Sequence, residues 1–324
     1  MLSDIKKDSI LNLLFNCGQI THEDQALVLC DEKTKPIADA FTQIASAANI
    51  KLNLLEIPEL SNHGAEPPSY AADSMEAATL IISLCGYSLA HSKARVRAAK
   101  AGARFLSLPL YNWELLEDPS LRIDFKLHAS LVRAFADAFS KGEAVRVTTD
   151  AGTNIEFNIK DRVGNYCPGF VENPGDLGSP PDIEANVSPI ENSANGIVIV
   201  DGSITHPDFG LLVSPVKLIV EHGKIIKFES KNQKQATMLD DLFGPIDSPR
   251  RVLAECGVGL NPAAKLTGIM LTDEGALGYL HFGFGANHTV GGLNEVDFHL
   301  DFVFRAATLT VDSKVIISSG VPQL

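Results

Sequence analysis

A chain of 324 residues, 45% of them hydrophobic, is long enough for two domains with real cores. Its 27 Lys and Arg against 40 Asp and Glu leave a formal charge of −13 with no basic stripe, which argues against nucleic acid and membrane surfaces as partners. The five cysteines (Cys17, Cys30, Cys85, Cys167 and Cys256) are odd in number and lack C-x-x-C spacing, so neither a disulfide framework nor a thiolate zinc site is expected.

The opening MLSDIKKDSILNLLFNCG lacks the basic-then-apolar order of a signal peptide, and no run of about 18 apolar residues follows, so the cytoplasm is the expected location. Strands are expected over 26–30, 51–57, 78–86 and 104–110, with helices over 36–50, 92–103 and a long stretch near 121–141. The Pro/Ser/Gly-rich segment 58–75 reads as an irregular excursion. This βα alternation implies an open, doubly wound parallel sheet, a Rossmann- or flavodoxin-like α/β domain over 1–142. No G-x-G-x-x-G follows a strand, so a dinucleotide is not expected. From 143 the pattern turns to hairpins, with turns at Ala151-Gly152, His222-Gly223 and Asp312-Ser313 and one helix near 231–243. The expectation is a mainly β, α+β domain over 143–324. Its Gly/Pro-rich segment 164–189 reads as a loop that lines a site.

In FHLDFVF (298–304), alternation puts His299 and Asp301 on one face of a strand and Phe298, Leu300 and Phe302 on the other. Glu255 in AECGVGLNP and His281 in GYLHFGFG sit in equally apolar strands. Such groups are costly to bury unless paired or metal-bound, and imidazoles with carboxylates suit Zn, Mn, Co or Fe(II). Glu274, beside Asp273 and Gly275, reads as part of a solvated turn and is left out of the ligand set, as are His206 and Asp208 in THPDFG. His288 lies in the Gly-rich loop GANHTVGG, which can reach a site or stay exposed. Cys256 should face away from Glu255.

The run AECGVGLNPAA … LTDEGALGYLHFGFGANHTVGGLNEVDFHLDFVF resembles the C-terminal half of the thermophilic metalloaminopeptidases, aminopeptidase T and its relatives, over about residues 180–305. The resemblance implies a two-ion site with Glu184 (in PPDIEANVSP), Glu255, His281, His299 and Asp301 as ligands and His288 in place of a metal-proximal tyrosine. It also implies a hydrolase of small molecules or short peptides using Zn, Co or Mn, with Glu184 as general base if it binds no metal. The segment GYSLAHSKARVRAAKAGARFLSLPL (86–110) resembles the 2,5-dihydroxypyridine 5,6-dioxygenases, Fe(II) ring-cleaving enzymes of the same two-domain scaffold. That resemblance implies, as the alternative, a dioxygenase with His91 as base and Glu255, His299 and Asp301 around iron, Glu255 standing where the family has a histidine. It also implies a homo-oligomer. From the residues alone, His91 reads equally as the residue ahead of an N-cap at Ser92, although the carboxyl end of a parallel strand is where open α/β sheets bind ligands.

Overall fold

The structure is a computed structural model that describes residues 2–206 and 208–324. Its packing separates two compact units, Met1–Leu127 with Cys167–Pro181, and His128–Tyr166 with Asp182–Leu324. The boundary expected at 142/143 differs from these units at two places. One is the helix Ala129–Lys141, which buries Val132, Phe135, Ala136 and Phe139 and packs on the strand Glu184–Val187 of the second unit. The other is the return of 167–181 to the first unit, where Leu177–Gly178 adds a strand.

The first unit holds α1 (Asp4–Leu11), β1 (Ala26–Cys30), α2 (Lys35–Ala47), β2 (Leu52–Glu56), α3 (Ser69–Ala77), β3 (Leu80–Ser83), α4 (Lys93–Lys100) and β4 (Arg104–Ser107). Its sheet runs β2-β1-β3-β4 and then Leu177–Gly178, all parallel. Every residue of β1 and β3 is buried, as expected of strands covered on both faces. On one face, Met75 of α3 and Ala94 and Ala98 of α4 share a core with Leu27, Leu29, Ile81 and Phe105.

Two expectations are corrected here. Helix α3 occupies the end of the segment expected to be irregular. Prolines 67 and 68 precede its first turn, where proline is tolerated, and Ala71, Ala72 and Met75 supply its buried side. The expected long helix near 121–141 begins only at Ala129, because residues 119–121 and 125–128 form short 3-10 turns. No helix among the described residues is long and apolar enough to cross a membrane.

The second unit is built on two antiparallel sheets. The eight-stranded sheet contains the expected hairpins, and in two of them both turn residues are left-handed: His222 and Gly223 at φ 49° and 79°, Asp312 and Ser313 at φ 45° and 69°. That is the geometry of the two-residue turns that match strand twist. The seven-stranded sheet places Ser203–Ile204, His299–Phe304, Leu280–Gly285, Leu253–Gly259 and Glu184–Val187 side by side. Phe282, Phe284, Phe302 and Phe304 are fully buried on one of its faces. Phe157 of the other sheet meets Phe282 edge-on at 5.9 Å, and Phe228 stacks on Phe302 at 6.5 Å. This aromatic layer joins the two sheets and orients the opposite face of the second one.

Candidate metal centre

Alternation from that aromatic layer puts Glu184, Asn186, Glu255, His281, His299 and Asp301 together on the opposite face. Across the strands each charged residue stands beside a glycine: Glu184 pairs with Gly259, Glu255 with Gly283, His281 with Gly257, His299 with Gly285 and Asp301 with Gly283. The glycines make room. A Cβ on Gly283 would stand 2.5 Å from His299 Nε2 and 2.8 Å from Asp301 Oδ1, and one on Gly257 would collide with the His281 ring. Glu255 reaches this face through a β-bulge. Leu253 pairs with Phe284 and Glu255 with Gly283, leaving Ala254 as the extra residue, so that Leu253 enters the core while Glu255, two positions on, turns away from it. Cys256 then pairs with Phe282 on the core side, where burial pushes its thiol up to about 12.

Two groups of ligand atoms result, each within 4.8 Å: Glu184, Glu255 and His281, and Glu255, His299 and Asp301. Glu255 belongs to both. His281 Nε2 lies 3.1 Å from Glu184 Oε2 and 3.9 Å from Glu255 Oε1, and His299 Nε2 lies 3.4 Å from Glu255 Oε2 and 3.2 Å from Asp301 Oδ1. His299 Nδ1 is 2.8 Å from the Ala286 carbonyl. A carbonyl only accepts, so Nδ1 carries a proton and Nε2 is the atom turned to the carboxylates. A bare Nε2 lone pair would repel them, so the position requires a positive charge, either a proton or a metal cation.

Electrostatics without an ion follow the same logic. Burial lowers both imidazoles, but Glu184 at His281 and Asp301 at His299 outweigh it and hold both well above the usual histidine range. Burial raises Glu255, yet hydrogen bonds from the two histidines hold its carboxyl well below the usual range. Glu184 is pushed up, chiefly by burial. Asp182 and Glu274 are also pushed well up, by burial first and then by the charges of Glu184 and Asp301 respectively. Asp182 Oδ1, Glu274 Oε1 and His281 Nδ1 are buried without a hydrogen-bond partner. The donor types, the glycine-made space and the excess of buried carboxyls over imidazoles fit a divalent cation.

The reading of Asp273 and Glu274 as a solvated turn is corrected. Asp273 is fully buried and accepts from the amides of Thr267 (2.7 Å) and Gly268 (3.0 Å), while Glu274 carries one of the orphaned oxygens. His288 is exposed and lies outside both ligand groups, because it is the neighbouring Asn287 that turns inward to Ser188 and Glu191. His91 is exposed and directly precedes Ser92, whose hydroxyl caps α4 by accepting from the Arg95 amide at 3.1 Å. The amides at that helix start are taken by Glu66, which accepts from Lys93 and Ala94. Sequence reasoning missed Asn186, Asp182 and Ala254. The alternating glycines of CGVG and HFGFG were the available signal for a face cleared of side chains.

The family described as 2,5-dihydroxypyridine 5,6-dioxygenase matches the chain over residues 9–323. Among solved structures, the 2,5-dihydroxypyridine dioxygenase from Pseudomonas putida KT2440 aligns with a TM-score of 0.84 at 21% identity, covering 98% of this chain and 96% of that one. Wild-type AmpT from Thermus thermophilus aligns with a TM-score of 0.71 at 12% identity, covering 98% and 99%. No curated protein matches the chain. The expected fold class, an open parallel α/β sheet followed by a β-rich domain, is the arrangement of both solved structures.

Proposed function

Because the chain belongs to the 2,5-dihydroxypyridine 5,6-dioxygenase family, we propose that it is a divalent-metal-dependent oxygenase that opens the ring of a dihydroxypyridine-like small aromatic. The observation that carries this reading is the convergence of Glu255, His299 and Asp301, with the His299 tautomer set by the Ala286 carbonyl. These three residues would hold the ion on one side and leave its other positions for small ligands. A bound ion supplies Lewis acidity and, as Fe(II), the one-electron chemistry that dioxygen requires. The protein's part is to fix the donors. The Ala286 carbonyl orients the imidazole, the bulge at Ala254 aims Glu255, and Gly283 leaves the space between them. His91 is proposed, on the resemblance of 86–110, as the base that takes a ring-hydroxyl proton. A homo-oligomer and a cytoplasmic location complete the proposal.

The aminopeptidase-type hydrolase, the first expectation from the sequence, takes second place. The family match spans nearly the whole chain, whereas AmpT is a likeness of fold at 12% identity. One observation keeps it as a second reading: a second group, Glu184, Glu255 and His281, shares Glu255 with the first and would hold a further ion beside it. Anaerobic reconstitution with Fe(II), Mn(II), Co(II) or Zn(II), then parallel assays of dioxygen uptake with 2,5-dihydroxypyridine and of aminoacyl-amide hydrolysis, separates the readings. Iron-dependent dioxygen uptake is expected. Hydrolysis with Zn(II) or Co(II) and no dioxygen uptake would overturn the oxygenase.

A further inference from the structure

Glu184 arrives at the site with one oxygen already engaged. Asn186 Nδ2 donates to Glu184 Oε1 at 2.6 Å. Asn165 Nδ2 in turn donates to Asn186 Oδ1 at 2.7 Å and to the Val290 carbonyl at 3.1 Å. The last pair fixes the orientation of the Asn186 amide: its oxygen is held by Asn165, so its NH2 must face Glu184. Asn186 is 3% exposed and lies two residues from Glu184 on the same strand face, opposite Gly257. Only Glu184 Oε2 is left to face His281 Nε2, at 3.1 Å.

We propose that Asn186, oriented by Asn165, is a positioning residue that makes Glu184 a one-oxygen ligand, through Oε2, of an ion held by Glu184, Glu255 and His281. This rests on the second, two-ion reading of the site given above, and not on the single ion of the oxygenase. A buried carboxylate with no donor on its second oxygen is free to swing both oxygens onto a cation. A charge-assisted hydrogen bond to Oε1 removes that option and offsets part of the burial penalty of the charge. The same arrangement joins the two ligand groups through one loop. Val290, which accepts from Asn165, lies between Gly285 and His299, as does Ala286, which anchors His299. The loop is tied down by Glu191, which accepts from the Leu293 amide at 2.7 Å and from Asn287 Nδ2 at 3.0 Å and pairs with Arg162 at 2.7 Å. It therefore holds His299 of one group directly and Glu184 of the other through two asparagines.

The test is a competition titration of metal-stripped full-length protein with Co(II) against a chromophoric chelator, with circular dichroism to confirm folding. Wild type should take up two equivalents. Asn186→Leu should keep the first and weaken the second by about 10–100-fold, the usual cost of losing a partner behind a metal ligand. It should also change the visible Co(II) spectrum of the second equivalent, since the freed Oε1 can add a donor. Asn165→Ala, which leaves the Asn186 amide in place without its orienting partner, should give a smaller loss in the same direction, and it carries the test if Asn186→Leu does not fold. A second equivalent bound with unchanged affinity and spectrum, or equal weakening of both equivalents, would overturn the proposal alone. A single equivalent in wild type would overturn the two-ion reading and the proposal with it.

Discussion

In the first unit, the polar groups at the carboxyl ends of the parallel strands are consumed by the fold, whereas on the site face of the second unit they are not. Asp31, which follows β1 and is 1% exposed, accepts from the Thr34 amide at 3.1 Å, the Thr34 hydroxyl at 3.0 Å and the Gly86 amide at 2.6 Å. Glu66 fills the start of α4. In the second unit Asp182, Glu274 and His281 keep buried atoms without partners, and carboxylates face imidazoles across gaps of 3.1 to 3.9 Å. A crevice at the ends of parallel strands is the general place to look for a ligand, but capacity to bind depends on what remains unsatisfied there. By that measure the antiparallel sheet holds the stronger claim on a cation.

The sharpest way to break this comparison is Asp301→Ala. Loss of one ligand leaves His299 and Glu255 as uncompensated buried charges, so the ion of that group and turnover should both be lost, and wild-type metal content in the purified variant would sink the site. His91→Ala probes the opposite claim, that the first unit contributes chemistry. Turnover of the ring substrate should drop by about two to four orders of magnitude with metal content unchanged, and wild-type kinetics would leave His91 as no more than the residue ahead of the Ser92 cap. Gly257→Ala should weaken metal binding by about 10–100-fold by pushing the His281 ring aside, while Cys256→Ala, one residue away on the core side, should lower melting temperature and leave affinity alone. Equal metal affinities in the two variants would contradict the assignment of faces.

The smallest effect belongs to the first unit. Asp24 lies 2.5 Å from Arg104 Nη2 and accepts from the Thr79 hydroxyl at 2.7 Å. Burial raises its pKa, but the Arg104 hydrogen bond and its allies prevail and the net shift is downward. A depressed carboxyl contributes stability above its unfolded pKa of about 3.9 that is lost as pH falls through the lower folded value. Asp24→Asn should therefore cost about 1–3 kcal/mol at pH 7 and flatten the acid side of the stability curve below about pH 4. An unchanged acid limb in thermal melts would remove Asp24 from that account.

What the sequence made legible was whatever period alone encodes. Uniformly apolar runs located β1 and β3, tight polar turns located the hairpins, and the two-residue spacing of His299 and Asp301 fixed their shared face. Helix α3 was hidden because its two prolines stand just ahead of the first turn and look like loop chemistry. Asp273 looked solvated because its acceptors are satisfied by the Thr267 and Gly268 amides, a pairing that local sequence does not announce. Asn186 escaped because an amide has no charge to mark it; its importance lies in Asn165, 21 positions earlier.

The bulge at Ala254 has a consequence of a different kind. Along Leu253–Gly259 the chain changes parity: one frame of odd and even positions applies before Ala254 and the opposite frame after it. A site built on such a strand is carried by a count as much as by its side chains. Excising Ala254 would alter no ligand, no glycine and no hydrophobic residue among those that define the two faces. It would make Leu253 and Glu255 direct neighbours, which plain alternation sends to opposite sides, so both faces would survive and only the local bend of the bulge would go. The same excision at Cys256, where no extra residue absorbs it, would turn the strand over on one side of the gap and break up a metal centre whose every ligand is still written in the sequence.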